Sequence, residues 1–143
     1  MATTVLSKDE QENLFKLALE AKETSYSPYS KFRVGAALMT EDGKIFKGCN
    51  VENASYGAAI CAERTAFVKA VSEGYKKFRA LAVSTDQTEC ISPCGICRQF
   101  ISEFCAAEMP VYLLNTNGEY KELTVGQLLP FSFGLEQGQK YLF

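Results

Sequence analysis

The sequence contains no histidine, which removes the commonest general base and the commonest metal ligand from any mechanism it supports. It also lacks an excess of positive charge, since 15 lysines and arginines stand against 17 aspartates and glutamates, a net charge of −2. Strong non-specific binding to nucleic acid is therefore not expected. No apolar run approaches the length of a membrane-spanning helix.

The 143 residues also contain no internal repeat, low-complexity stretch or linker. A chain of this length buries roughly 68 to 70% of its unfolded surface, so it needs neither a metal nor a disulfide simply to fold. We therefore expect a single domain over residues 1–143. No apolar signal segment precedes Ser7, which predicts a cytoplasmic protein whose six cysteines are reduced.

Hydrophobic spacing and turn residues predict secondary structure in the order αββαβαββα. The predicted helices cover residues 8–23, 59–73 and 93–106, and a last short helix ends near residue 130. The predicted strands cover residues 32–39, 44–49, 78–85, 111–114 and 120–123. Strands that alternate with helices predict an α/β fold, in which a mixed five-stranded sheet has helices on both faces.

Turn and capping residues mark where these elements begin and end. Asp42 and Gly43 predict an antiparallel hairpin between the first two strands, because Asp-Gly tolerates positive φ. Gly74 has the position of a C-terminal cap for the second helix. Ser92 and Pro93 predict the N-cap and the first-turn proline of the third helix.

Three cysteines and a glutamate form the pattern that indicates chemistry. Cys94 and Cys97 have the spacing that lets both thiolates bind one tetrahedral metal, and Cys61 offers a third ligand. Both groups fall near predicted helix N-termini, where the helix dipole favours thiolate. A three-ligand Zn²⁺ site leaves one position for a water whose pKa zinc lowers to about 7. Glu63 is the candidate general acid and base beside it.

Three thiolates and one Zn²⁺ sum to a charge of −1, which weakens the metal as a Lewis acid. Arg64 and Arg98, two of the four arginines in the chain, directly follow Glu63 and Cys97. A guanidinium that donates a hydrogen bond to a ligand sulfur would withdraw part of this charge. Either arginine fits that role from spacing alone.

Other interpretations of the cysteines remain open at this point. A Cys-x-x-Cys pair also suits a redox site, or a closed zinc site completed by Cys49, Cys90 or Cys105, as in a zinc-stabilised interaction module. A single glutamate on a helix is usually solvated. However, a ligand two residues before a glutamate, followed by Pro-Cys-x-x-Cys, is the signature of zinc deaminases, which include three-cysteine sites.

Five blocks of the sequence resemble the small zinc-dependent cytidine deaminases, and the three-cysteine set is similar to their short homotetrameric class. The blocks are SYSPYSKFRVGA at 25–36, GCNVENASY at 48–56, CAER at 61–64, SPCGICRQ at 92–99 and LLPFSFG at 128–134. The resemblance implies a three-layer cytidine-deaminase-like fold and one Zn²⁺ per subunit. It also implies hydrolytic deamination of free cytidine and 2′-deoxycytidine to uridine and 2′-deoxyuridine with release of ammonia, a reaction of pyrimidine salvage.

The resemblance also implies a role for each matching residue. The three cysteines named above bind zinc, Glu63 moves the protons, and Arg64 donates a hydrogen bond to thiolate sulfur. Asn50 and Glu52 match the pair that holds the ribose 3′-hydroxyl, and Phe32 matches an aromatic wall of the base pocket.

Three further matching residues imply subunit contacts. Ala54 and Tyr56 match a segment at such contacts, and Phe133 matches an aromatic side chain supplied by a neighbouring subunit. The resemblance therefore implies a homotetramer in which neighbouring subunits complete each pocket.

Rival deaminases differ in substrate. A Glu52 carboxylate against the 3′-hydroxyl would repel a 3′-phosphate, and the acidic chain has no basic track for a polymer, so free nucleosides are favoured over RNA or DNA. Blasticidin S deaminase shares the Cys-Ala-Glu and Pro-Cys-Gly-x-Cys motifs. The block Asn50-Val51-Glu52-Asn53 favours the cytidine deaminases instead.

Overall fold

A five-stranded mixed sheet lies between two helical layers in the computed structural model, which describes residues 5–141. The strands are β1 (Val34–Thr40), β2 (Ile45–Cys49), β3 (Phe78–Thr85), β4 (Pro110–Leu114) and β5 (Tyr120–Thr124). The helices are α1 (Lys8–Ala21), α2 (Ala62–Ser72), α3 (Gly95–Phe104), α4 (Val125–Leu128) and α5 (Leu135–Tyr141). The strand order is β2-β1-β3-β4-β5, in which β3 and β4 are parallel and the other neighbours antiparallel.

The central strands are buried on both faces of the sheet. Leu38 of β1 packs in one apolar cluster with Phe67 of α2 and Ile101 of α3. The next residue toward the N-terminus, Ala37, faces the other way and packs in a second cluster with Leu14 of α1. Successive strand residues point to opposite faces, so one sheet supports both helical layers. The predicted sheet with helices on both faces is confirmed.

Helix α2 lies unusually close to β2 at Gly48. A Cβ atom at this position would lie 2.5 Å from the Ala62 carbonyl oxygen and 2.5 Å from the Ala66 nitrogen. Only glycine permits this approach of helix to strand. The contact fixes the first turn of α2 against the sheet, and this turn carries Glu63.

The predicted turn residues are confirmed where glycine was expected. Gly43 has a φ of +92° in the antiparallel β1–β2 hairpin, and Gly74 has a φ of +99° directly after the end of α2. None of the helices between residues 5 and 141 has both the length and the apolar character needed to cross a membrane.

Two helices begin later than predicted. Helix α2 begins at Ala62 rather than at residue 59, because Ile60 exchanges two backbone hydrogen bonds of 2.9 Å with Val51 and is therefore extended. The prediction of Ser92 as the N-cap of α3 is wrong. Cys94 occupies that position, while the Ser92 hydroxyl accepts a hydrogen bond from Arg98.

The remaining differences concern the ends of elements and one whole helix. The first helix ends at Ala21 and a 3₁₀ turn follows at Lys22–Thr24, while α3 ends at Phe104. The first strand begins two residues later than predicted, at Val34. Helix α5 was not predicted, because its seven residues include Gly138, a poor helix former, and too few apolar side chains to show a period.

Asp86 links the ends of three elements through ionic hydrogen bonds. Its carboxylate accepts from Arg33 Nε at 2.7 Å and from Lys22 Nζ at 3.0 Å, and Lys22 also donates to the Thr85 carbonyl at 3.3 Å. Hydrogen bonding from Arg33 first, then from Lys22, lowers the pKa of Asp86 to about 2. Both basic residues lie next to segments that line the candidate site described below.

We expect Asp86→Asn to make the free energy of unfolding fall less as the pH is lowered into the acid range. A carboxyl group whose pKa is lowered by folding stabilises the protein above its unfolded pKa, and this contribution disappears as the pH falls from about 4 to about 2. Because the side chain is 34% exposed, solvent screening reduces the contribution to about 1 kcal/mol. Urea unfolding at pH 4 and at pH 2 measures the difference. Equal losses of stability in the variant and the wild type would contradict the assignment.

Candidate metal centre and active-site cavity

Two helix N-termini bring three sulfur atoms together. Cys61 is the N-cap of α2, Cys94 is the N-cap of α3, and Cys97 lies in the first turn of α3. The three Sγ atoms lie within 4.8 Å of one another, and those of Cys61 and Cys94 are 3.8 Å apart. Sulfurs that bind a tetrahedral Zn²⁺ at about 2.3 Å lie about 3.8 Å from each other. The donor set and its spacing therefore fit zinc.

The other cysteines lie elsewhere, and all six are free thiols. The Thr24 hydroxyl lies 3.6 Å from Cys49 Sγ, and Cys90 Sγ lies 3.9 Å from the Glu119 carbonyl oxygen. Burial raises the pKa of the Cys105 thiol to about 12. Within residues 5–141, no fourth cysteine, aspartate or glutamate joins the three sulfurs. The closed four-cysteine site considered from spacing is therefore not formed.

The pKa values of the Cys61 and Cys97 thiols shift in opposite directions. The pKa of Cys61 is lowered to about 5, because Cys97 donates a hydrogen bond to its sulfur and Arg64 adds a second. The pKa of Cys97 is raised, since it is the donor in that contact and is also buried. The contact with Arg64 therefore favours the thiolate form of Cys61, which is the form that binds a metal.

Only one of the two candidate arginines contacts sulfur. An Arg64 terminal nitrogen lies 3.6 Å from Cys61 Sγ, and Arg64 Nε is buried with no hydrogen-bond partner among residues 5–141. Arg98 donates instead to three oxygens, those of the Pro93 and Leu128 carbonyls at 2.8 Å and of the Ser92 hydroxyl at 2.7 Å. Arg98 therefore ties the segment before α3 to α4.

Glu63 lies in the first turn of α2 and is only 4% exposed. Desolvation by burial raises the pKa of its carboxyl to about 7, and the nearby Cys61 charge acts in the same direction. The side chain lines a cavity of about 190 Å³ together with Cys61 and Cys94. Glu63 is therefore a buried acid beside the metal ligands and not a solvated surface residue.

The rest of this cavity is formed by predicted and unpredicted residues. Phe32 and Asn50, two of the candidate substrate residues, line it. The strand residues Val34, Val83 and Thr85 and the loop residues Ile91 and Ser92 also line it. Sequence reasoning missed these, because apolar strand positions look the same whether they face a core or a cavity.

The remaining substrate candidates are not among the residues of one chain that line this cavity. Glu52 and Tyr56 line a separate cavity of about 370 Å³ with Tyr29 and Ser30. Ala54 and Phe133 are exposed, and neither lines the two cavities. A single chain therefore brings Phe32 and Asn50 to the cavity beside the cysteine cluster, while the substrate-binding roles of all six residues stay predictions.

Comparisons with known proteins decide the family. The family model described as the cytidine and deoxycytidylate deaminase zinc-binding region matches residues 8–113. The chain belongs to the cytidine deaminase family. The resemblance inferred from the five sequence blocks is thereby confirmed.

Relatives match most of the chain. The cytidine deaminase of Sporosarcina psychrophila is 55% identical over 125 residues, which cover 87% of this chain and 92% of the relative. A probable cytidine deaminase of Dictyostelium discoideum is 45% identical over 92% of this chain and 88% of its own length. The crystal structure of cytidine deaminase from Burkholderia pseudomallei superposes with a TM-score of 0.83 at 45% identity, covering 90% of this chain and all of that one.

The cysteine cluster fits the cofactor of the cytidine deaminase family. The zinc-binding region of the family model includes all three cysteines, whose sulfurs already have the spacing of tetrahedral zinc ligands. The predicted cofactor, one Zn²⁺ per subunit, is therefore confirmed by the family and by the geometry of the ligands. Both helix N-termini add partial positive charge at the thiolates.

We expect Arg64→Gln to weaken turnover of this deaminase while the three cysteines retain zinc. Loss of the guanidinium leaves the negative charge on Cys61 uncompensated, and changes of this kind beside a metal ligand cost about 10- to 100-fold in activity. Steady-state kinetics and zinc analysis measure the effect, with Arg79→Gln as a control that breaks distant contacts with Glu10 and the Val5 carbonyl. Full activity in Arg64→Gln would show that no arginine is needed to offset the thiolates.

Proposed function

We propose that the chain is a hydrolase that deaminates free cytidine and 2′-deoxycytidine to uridine and 2′-deoxyuridine, with release of ammonia. The observation that carries this proposal is the opening of Glu63, Cys61 and Cys94 onto one cavity whose walls include Phe32. Relatives up to 55% identical over 87% of the chain are cytidine deaminases. No basic track for a polymer accompanies the site, since the net charge is −2.

The metal would be held by the three cysteines of the cluster. When bound, Zn²⁺ supplies the Lewis acidity that makes water a nucleophile near neutral pH. Arg64 contributes by donating to Cys61 Sγ, which reduces the charge that the sulfur gives to the metal.

Glu63 moves both protons of the reaction. It takes one proton from the attacking water and delivers it to N3 of the base, which balances the charge pushed into the ring as oxygen bonds to C4. It then takes the second proton of that water and delivers it to the amino nitrogen, so that the C4–N bond breaks and ammonia leaves. A buried carboxyl with a pKa near 7 both accepts and donates protons at neutral pH.

The substrate is held by residues from several segments. Phe32 packs beside the base, and Asn50 and Glu52 bind the ribose 3′-hydroxyl. Both nucleosides react because none of these groups is assigned to the 2′-hydroxyl, and an unrecognised hydroxyl gives weak discrimination.

The same proposal includes a homotetramer in which Ala54 and Tyr56 lie at subunit contacts and Phe133 reaches the pocket of a neighbouring subunit. It is supported by large side chains that one chain leaves exposed, with Tyr56 at 77% and Phe133 at 49%. Tyr56 also packs edge-to-face against Tyr29, itself 48% exposed, so these two rings form one exposed aromatic patch of the kind found at interaction sites. Light scattering during an activity assay tests it, and a fully active monomer would contradict it.

Two broader features complete the proposal. Residues 1–143 form one domain, which is supported by a single sheet that takes strands from residue 34 to residue 124. The protein works in the cytoplasm, which is supported by six cysteines that form no disulfide.

Incubation with separate substrates tests the function. We expect loss of ultraviolet absorbance with cytidine and 2′-deoxycytidine, and no conversion of a cytosine-containing oligonucleotide. A parallel sample contains 2′-deoxycytidine 5′-monophosphate, because the family model also covers deoxycytidylate deaminases. Activity confined to the oligonucleotide or to the monophosphate would overturn the proposal of free nucleosides.

A further inference from the structure

The hydroxyl of Ser30 lies between two residues assigned to substrate binding. It donates a hydrogen bond to Glu52 Oε2 and accepts one from the Phe32 N–H at 3.0 Å. The other carboxylate oxygen of Glu52 accepts from the backbone N–H groups of Tyr29 at 3.0 Å and Ser30 at 3.1 Å. Glu52 therefore holds the turn before Phe32 through three hydrogen bonds.

The backbone of Phe32 is held by side chains on both sides. Its carbonyl oxygen accepts from Asn50 Nδ2 at 2.7 Å, while its N–H donates to Ser30. Asn50 Oδ1 also accepts from the Val34 N–H at 3.0 Å, at the point where β1 begins. Phe32 lies outside β1, so no strand pairing fixes its backbone. Its position at the cavity therefore depends on its hydrogen bonds to Asn50 and to the Glu52–Ser30 pair.

One residue of this turn, Lys31, has an unfavourable backbone conformation. Lys31, between Ser30 and Phe32, has a φ of +61°, a strained conformation that a residue with a side chain seldom adopts. Such a conformation persists only where surrounding bonds hold it. Loss of the Ser30 hydroxyl removes the only described side-chain link between Glu52 and the Phe32 N–H.

We propose that Ser30 is a positioning residue for substrate binding, which fixes Phe32 at the wall of the active-site cavity through the hydrogen-bonded series Glu52–Ser30–Phe32. The proposal rests on the proposed function, because it assigns Phe32 to the base. Glu52 Oε2 has two lone pairs, so it can accept from Ser30 and from a ribose hydroxyl at the same time. The Glu52 carboxylate would thereby bind the ribose and, through Ser30, also hold Phe32 in place beside the base.

Kinetics of three serine variants test this role. Ser30→Ala is expected to raise KM for cytidine about tenfold, the effect of losing hydrogen bonds to a charged group, while kcat changes less than about twofold. Glu63 and the cysteines are untouched by the change, so zinc content stays the same. Ser30→Thr keeps the hydroxyl and is expected to have a KM close to that of the wild type. Ser27→Ala, in the same turn, removes a hydroxyl that bonds Ser25 and neither Phe32 nor Glu52, and serves as the control.

The outcomes separate this proposal from the proposed function. A wild-type enzyme that deaminates cytidine together with an unchanged KM in Ser30→Ala would overturn the role of Ser30 alone. A fall in kcat as large as the rise in KM would show that Ser30 has a general structural role, and would also overturn the proposal. The same conclusion would follow if Ser27→Ala and Ser30→Ala had equal effects. A zinc-loaded wild type that fails to deaminate cytidine would overturn both proposals.

Discussion

Replacing Glu63 with alanine is expected to lower kcat for cytidine by about 10²- to 10⁴-fold, the usual contribution of a general acid and base. Glu63 is 4% exposed and lines the cavity beside two zinc ligands, and no second carboxylic acid is among the described residues that line this cavity. The chain should still bind zinc, because Glu63 is not one of the three clustered ligands.

A second variant and a control make this result specific. Glu63→Gln keeps the size of the side chain and cannot carry the proton, so we expect the same loss of kcat with an unfolding midpoint no lower than that of the wild type. A buried charge without an ion-pair partner costs stability, so we do not expect its neutral replacement to destabilise the protein. Glu103→Ala changes an exposed glutamate of α3 and should leave kcat unchanged. Retained turnover in Glu63→Ala would refute the assigned proton transfers.

Replacing Cys94 with alanine should remove both zinc and activity. Cys94 is one of three ligands, and two remaining thiolates do not hold the ion in a tetrahedral site with one open position. We expect zinc well below one ion per chain and a loss of activity of more than about 100-fold. Cys94 is exposed, whereas Cys97 is fully buried in the core, so the Cys94 variant separates metal loss from unfolding.

Cys90→Ala provides the matched control. Cys90 precedes the Pro-Cys-x-x-Cys segment, packs against the apolar core, and has its sulfur 3.9 Å from the Glu119 carbonyl oxygen. Its loss should leave zinc content and kcat at wild-type values. Stoichiometric zinc and full turnover in Cys94→Ala would contradict the three-cysteine assignment.

The metal cluster was predictable from sequence because its geometry is local. Cys94 and Cys97 are the N-cap and the first-turn residue of one helix, so their spacing alone brings the sulfurs to one side. Cys61 has the same N-cap position on α2, with Glu63 two residues later. The one long-range requirement is that the two helix ends meet, and the signature motif supplied that expectation.

The cavity walls were less predictable because they depend on distant segments. Thr85 ends β3 and Ile91 lies in the loop before α3, yet both face the cavity that contains Glu63. Nothing in the spacing of either residue distinguishes such a position from an ordinary core site. The bonds of Ser30 to Glu52 cross 22 residues of sequence and depend on the turn at Lys31, which no pattern indicated.

Two predicted helix boundaries were wrong because they also depend on contacts between distant segments. The apolar residue Ile60 continues the helical pattern of α2, but its pairing with Val51 keeps the chain extended. Ser92 is a common N-cap residue, yet its hydroxyl is used by Arg98. In both cases a contact made by tertiary structure replaced the local preference.

Zinc content and cytidine turnover measured on the same purified samples test the central claim most directly. We predict one zinc ion per chain, ultraviolet conversion of cytidine in proportion to zinc during titration with a chelator, and recovery of activity when zinc is restored. Undiminished conversion of cytidine by zinc-free protein would contradict the account.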